Sequence, residues 1–129
     1  MSYGNATTVQ APFADTVKRV RDELKAEGFG VLTEIDVTTT FREKLGELME
    51  DYVILGACNP PLAHQALELD RSIGLLLPCN VVVRSGDDGT IVEALDPQIM
   101  VNVSDNPELK AIADDAAARL RRVLARLAQ

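Results

Sequence analysis

Apolar residues recur along the chain at two periods, and the changes of period mark the elements. Phe13, Val17, Val20 and Leu24 keep to one face of a helix, which predicts a helix over residues 12–27 stopped by Gly28. From Phe29 the period drops to two. Val31, Thr33, Ile35 and Val37 alternate with Leu32, Glu34 and Asp36, as in a strand, so Glu34 and Asp36 are expected on one sheet face. A weaker alternation over residues 3–9 suggests a first strand. Thr40 and Glu43 have capping-box spacing before Phe41, Leu45 and Leu48, which predicts a short helix ending near Met49.

The β-branched run from Tyr52 to Ala57 reads as another strand. Beyond it, Asn59 is placed to cap a helix whose first positions are Pro60 and Pro61, since proline gives up an amide hydrogen that a helix start leaves unpaired. Leu62, Ala66 and Leu69 would face inward. Asp70-Arg71-Ser72 turns the chain into the apolar segment 73–77. Residues 80–84 and 91–95 flank Ser85-Gly86-Asp87-Asp88-Gly89-Thr90, a strong hairpin signal. Both arms carry valine or isoleucine on both faces, which predicts strands covered on two sides.

After Asp96-Pro97, residues 98–103 fit either a strand or a short helix. Asn106 caps a last helix starting at Pro107, with Leu109, Ile112, Ala113, Ala116, Leu120, Val123, Leu124 and Leu127 on one broad stripe. Its acids Glu108, Asp114 and Asp115 come early and Arg119, Arg121, Arg122 and Arg126 come late, matching the helix dipole. These arginines, like the charges between Lys18 and Lys25, read as solvated faces. Nothing along the chain resembles a repeat or a linker, so residues 1–129 are expected to form one domain.

The chain has 129 residues, 47% hydrophobic and 26% charged, enough to bury a core without a metal or a disulfide. Twenty acids against thirteen bases give a net charge of −7, which repels phosphate backbones and anionic membranes. Aromatics are only 4% with no tryptophan, so base-stacking platforms are lacking too. No apolar run is long enough to span a bilayer. Met1-Ser2-Tyr3-Gly4-Asn5 lacks the segments of a secretory leader, and the two cysteines form no C-x-x-C pair. A soluble cytoplasmic protein with reduced thiols and no nucleic-acid or membrane partner is the expectation.

Candidate chemistry gathers at two Cys-Asn units, Cys58-Asn59-Pro60-Pro61 and Pro78-Cys79-Asn80. A thiol beside a helix start feels the positive end of the dipole, which lowers its pKa, and the same amides can hold an anion. Against this stands simple burial, the usual fate of a free cysteine. His64, the only histidine, lies one turn beyond and is the candidate base. A Cys-Cys-His set leaves zinc short of a ligand and the spacing is not that of a metal motif, so neither metal nor cofactor is expected. Glu34, Asp36 and Asp96 are the carboxylates least committed to helix surfaces. Solvent exposure and turn initiation are their bland alternatives.

These residues also carry a family resemblance. The block from Gly28 to Val37, the block Leu55-Gly56-Ala57-Cys58-Asn59-Pro60-Pro61-Leu62-Ala63 and the block from Gly74 to Val83 resemble the domain of unknown function 302 family, and the similarity runs on through Asp96-Pro97. The resemblance implies an α+β fold in two layers, a mainly antiparallel sheet with helices packed on one side, and commonly a homodimer. It implies no activity. The segment Leu69-Asp70-Arg71-Ser72 departs from the proline-containing turn associated with that place.

The resulting expectation is a homodimer that binds a small anionic or polar ligand. Cys58, Asn59, Cys79, Asn80, Glu34, Asp36 and Asp96 would line the site. The alternatives are a thiol redox or sulfur-handling enzyme using Cys58, Cys79 and His64, and a structural or interaction module without chemistry.

Overall fold

In the computed structural model, residues 3–129 are described. Met1 and Ser2, on which the leader reading partly rests, lie outside the described residues. The elements follow in the order β1 (Gly4–Val9), α1 (Phe13–Ala26), β2 (Gly30–Asp36), α2 (Val37–Leu45), β3 (Tyr52–Cys58), α3 (Pro60–Leu69), a 3-10 turn (Arg71–Leu76), β4 (Cys79–Gly86), β5 (Gly89–Leu95), α4 (Gln98–Ser104), a short 3-10 turn (Pro107–Leu109) and α5 (Lys110–Leu127). Five strands form one antiparallel sheet in the order β1-β5-β4-β3-β2. The architecture is the expected α+β arrangement of helices on an antiparallel sheet.

Strand alternation decides where the core sits. Val53, Leu55 and Ala57 of β3, Val81 and Val83 of β4, and Val92 and Ala94 of β5 point to one face and are buried against Val20 and Leu24 of α1 and Leu120, Val123, Leu124 and Leu127 of α5. A second cluster joins Ala66 of α3, Ile73, Met100 of α4, Leu109, Ile112 and Ala113. The expected stripes of α1 and α5 are therefore the ones that pack.

Residues on the other face of the central strands, Tyr52, Ile54, Val82 and Leu95, are only half-buried. The double covering expected for the hairpin is not met within one chain, because α1 and α5 cover a single face.

Two charged faces do more than meet water. Arg122 and Arg126 of α5 grip Glu27, and Arg126 also holds Glu23. Arg21 of α1 reaches Glu34 at 2.7 Å. These pairs clasp α1 between α5 and β2, where solvated faces were expected.

The β2–α2 region departs furthest from expectation. Asp36 ends β2 and caps α2, accepting from the backbone N–H and the hydroxyl of Thr39 at 2.9 Å each, so Thr40 is not the cap. The helix stops earlier than Met49, at Gly46, whose φ of 66° is left-handed. Nothing in α2 is buried. Leu32, Ile35, Phe41, Leu45 and Leu48 all stand in solvent. Leu69 is likewise exposed rather than inward.

Candidate functional site

Cys58 ends β3 and Asn59 starts α3. The Asn59 side chain accepts from the Leu62 N–H at 3.2 Å, and its carbonyl accepts from the Ala63 N–H at 2.9 Å. Pro60 and Pro61 have no N–H. Beyond the cap residue, the donors of this helix start are thus absent or already satisfied, so the expected row of free amides for an anion is missing. Asn59 itself is 7% exposed and lies against Gly28, whose φ of 85° only glycine adopts easily. A Cβ at Gly28 would stand 3.0 Å from the Asn59 amide nitrogen.

Cys79 and Asn80 separate by alternation. Cys79 pairs with Ala57 across the sheet and points into the core, whereas Asn80 pairs with Gly56 and is exposed on the open face. Asn59 and Asn80 do not converge on one ligand.

The two cysteines border one cavity. With Asn59, Phe29, Leu62 and Met100 they line a cavity of about 30 Å³, room for one or two water-sized groups and not for a metabolite. Burial pushes the Cys58 thiol up, and burial together with the charge of Cys58 pushes Cys79 up to about 11. The expected lowering at Cys58 is not found, because the desolvation of the partly buried sulfur sets the direction of the shift. His64 takes no part: its side chain is 76% exposed and lies 3.5 Å from Glu68, away from the cavity.

The carboxylates lie elsewhere. Glu34 pairs with Leu55 and Asp36 with Val53, so the two share the helix-covered face as expected. Cys58 pairs with Gly30 at the other end of that ladder, which puts Asp36 roughly 17 Å along the strands from it at the usual rise. Glu34 and Asp36 therefore do not wall the cysteine cavity. Instead they line an open cleft of about 300 Å³ with Phe13, Thr38, Arg42, Asp51 and Tyr52. The Thr39 hydrogen bonds hold the Asp36 carboxyl below its ordinary range. Asp96 is committed to a turn, accepting from the Gln98 N–H at 3.0 Å.

Arg42, Asp51 and Tyr52 of the cleft, and Met100 of the cavity, were not among the sequence candidates. Met100 carried no distinguishing signal, since only the fold brings it to the cavity that the two cysteines line. Among the described residues, no three or more His, Cys, Asp or Glu side chains are grouped to hold a metal ion. No helix of the described residues is long and apolar enough to cross a membrane.

A family model described as "Domain of unknown function DUF302" matches residues 5–127. The chain is also similar to a solved structure, "Crystal structure of uncharacterized conserved protein DUF302 from Bacillus stearothermophilus", with 33% identity and a TM-score of 0.92 over 98% of this chain and 99% of that one. No curated protein matches.

Proposed function

The chain belongs to the DUF302 family, and from that premise we propose that it is a homodimeric binding protein that holds a small polar ligand in the cleft between α1, β2 and α2. The observation that carries this reading is the cleft itself. Its volume of about 300 Å³ reaches the lower end of small-molecule sites, and polar groups from three elements converge on it. Glu34 is already paired with Arg21 and Asp36 with Thr39, so Asp51 beside Arg42 is the carboxylate that would meet the ligand, which then presents an ammonium or hydroxyl donor.

Thiol chemistry receives less support. Both thiols are held in their protonated form by burial, and no base stands beside them. We place the protein in the cytoplasm, where the two free cysteines remain reduced.

Dimerisation belongs to the same reading, because α2 forms one wall of the cleft and buries no residue of its own. A second copy packed on the arm formed by β2, α2 and the residues up to Glu50 would fix that wall. The arm mixes Arg42 and Lys44 with Glu43, Glu47 and Glu50 around its exposed leucines, a pattern that can complement itself across a two-fold axis.

Thermal melting with putrescine or lysine, against succinate or phosphate at equal concentration, tests the ligand class. The cationic probes should raise the melting temperature of the natural protein, and Asp51→Asn should abolish the rise. A rise with the anions alone, or none beyond that of Asp51→Asn, overturns the reading.

A further inference from the structure

Three sulfur-bearing residues from three elements border one small cavity: Cys58 at the end of β3, Cys79 at the start of β4 and Met100 in α4. The chain holds only two cysteines and three methionines. Both cysteines and one of the methionines share this space. We propose that Cys58, Cys79 and Met100 form a binding site for a single soft monovalent metal ion of the Cu(I) class.

Donor type argues for that class. Thiolate and thioether sulfur select Cu(I) over hard cations, which need oxygen. A structural zinc takes four ligands, and neither an imidazole nor a carboxylate borders the cavity. The Asn59 side-chain oxygen is already engaged by Leu62. Three sulfurs without a fourth donor suit an ion that is content with two or three.

Size and access agree. About 30 Å³ accommodates one ion and excludes a complexed one. Phe29, Leu62 and Ile112 contribute apolar wall. Cys79 is 7% and Met100 4% exposed, while Cys58 is partly open to solvent and offers the way in. Cys58 also stands near enough to Cys79 for its negative charge to oppose ionisation there; a cation between them turns that opposition into attraction. Binding is pure coordination. Each thiol that becomes a ligand releases one proton to solvent, and no electron moves.

The site is separate from the acidic cleft, so it stands or falls independently of the ligand proposed there. The test is an anaerobic titration of the reduced full chain with Cu(I) against the chelator bathocuproine disulfonate, followed by X-ray absorption of the loaded protein. The expected result is one Cu(I) withdrawn per chain, with a shell of sulfur only.

Cys58→Ser should lose the competition. Met100→Leu conserves volume and so keeps the fold; its affinity should fall by at least the roughly 10- to 100-fold that loss of a supporting partner costs a metal site. Ag(I), which needs no reductant, should bind with the same stoichiometry. Withdrawal no better than that of Cys58→Ser overturns the proposal, as does half an equivalent per chain from an ion bridging two copies. An unchanged affinity in a folded Met100→Leu variant overturns the three-sulfur site.

Discussion

At Gly56 a single methyl group is enough to disturb the sheet. A Cβ there would overlap the Thr33 hydroxyl on β2 and lie 2.9 Å from the ring of Pro78, so Gly56→Ala should destabilise the fold by about 1–3 kcal/mol, as overpacking does. The midpoint of urea unfolding measures it. The thiols give a second prediction at this scale. Because burial holds Cys58 and Cys79 protonated, alkylation at pH 7.5 should be slow at Cys58 and should reach Cys79 only on unfolding. A fast-reacting thiol in the native protein would restore the enzyme reading. Asn59 as a cap was legible, since asparagine before Pro60-Pro61 has one obvious use. The consequence for anion binding was legible too, once two missing N–H groups are counted. The direction of the Cys58 shift was not, because it depends on how many atoms surround the sulfur.

Among elements, α1 and α5 were readable because their stripes face partners inside the chain, whereas α2 finds none there and buries no residue. Phe41, Leu45 and Leu48 promise a buried face that one chain does not supply. The cap of α2 was misplaced for a local reason: Asp36 serves both as the last residue of β2 and as the acceptor for Thr39, and a strand residue does not announce itself as a cap. What the sequence concealed between α1 and α5 is their ionic clasp, which needs the two helices side by side. It sets a pH dependence. The Arg122 hydrogen bond, with Arg126 behind it, holds the Glu27 carboxyl below its ordinary range. A depressed carboxyl stabilises the fold above the unfolded value of about 4.3, and that stability drains away as the pH falls through the native value. Glu27→Gln should cost about 1–2 kcal/mol at pH 7 and flatten the loss of stability below pH ~4.3. Urea melts of both proteins between acid and neutral pH measure it.

For the whole molecule, apolar surface and net charge pull in opposite directions. The open sheet face bears Tyr52, Ile54, Val82 and Leu95, and the β2–α2 arm bears five large exposed apolar side chains, more than a monomer usually leaves in water. The sequence had already written the hairpin as apolar on both sides, and a second copy is the cover proposed for the side α1 and α5 leave bare. Each chain nevertheless carries −7, so two chains repel at long range. The balance predicts a dimer at micromolar concentration, burying on the order of 1,200 Å² or more, whose dissociation constant falls as salt rises because screening removes the repulsion and leaves the apolar contact. Leu45→Glu together with Leu48→Glu should give a folded monomer, whereas Val82→Glu should do so only if the sheet face forms the contact. Light scattering at low and high salt decides among these outcomes. A monomer at both salts would sink the assembly, and a dimer that loosens with salt would assign it to ion pairs instead of the leucines.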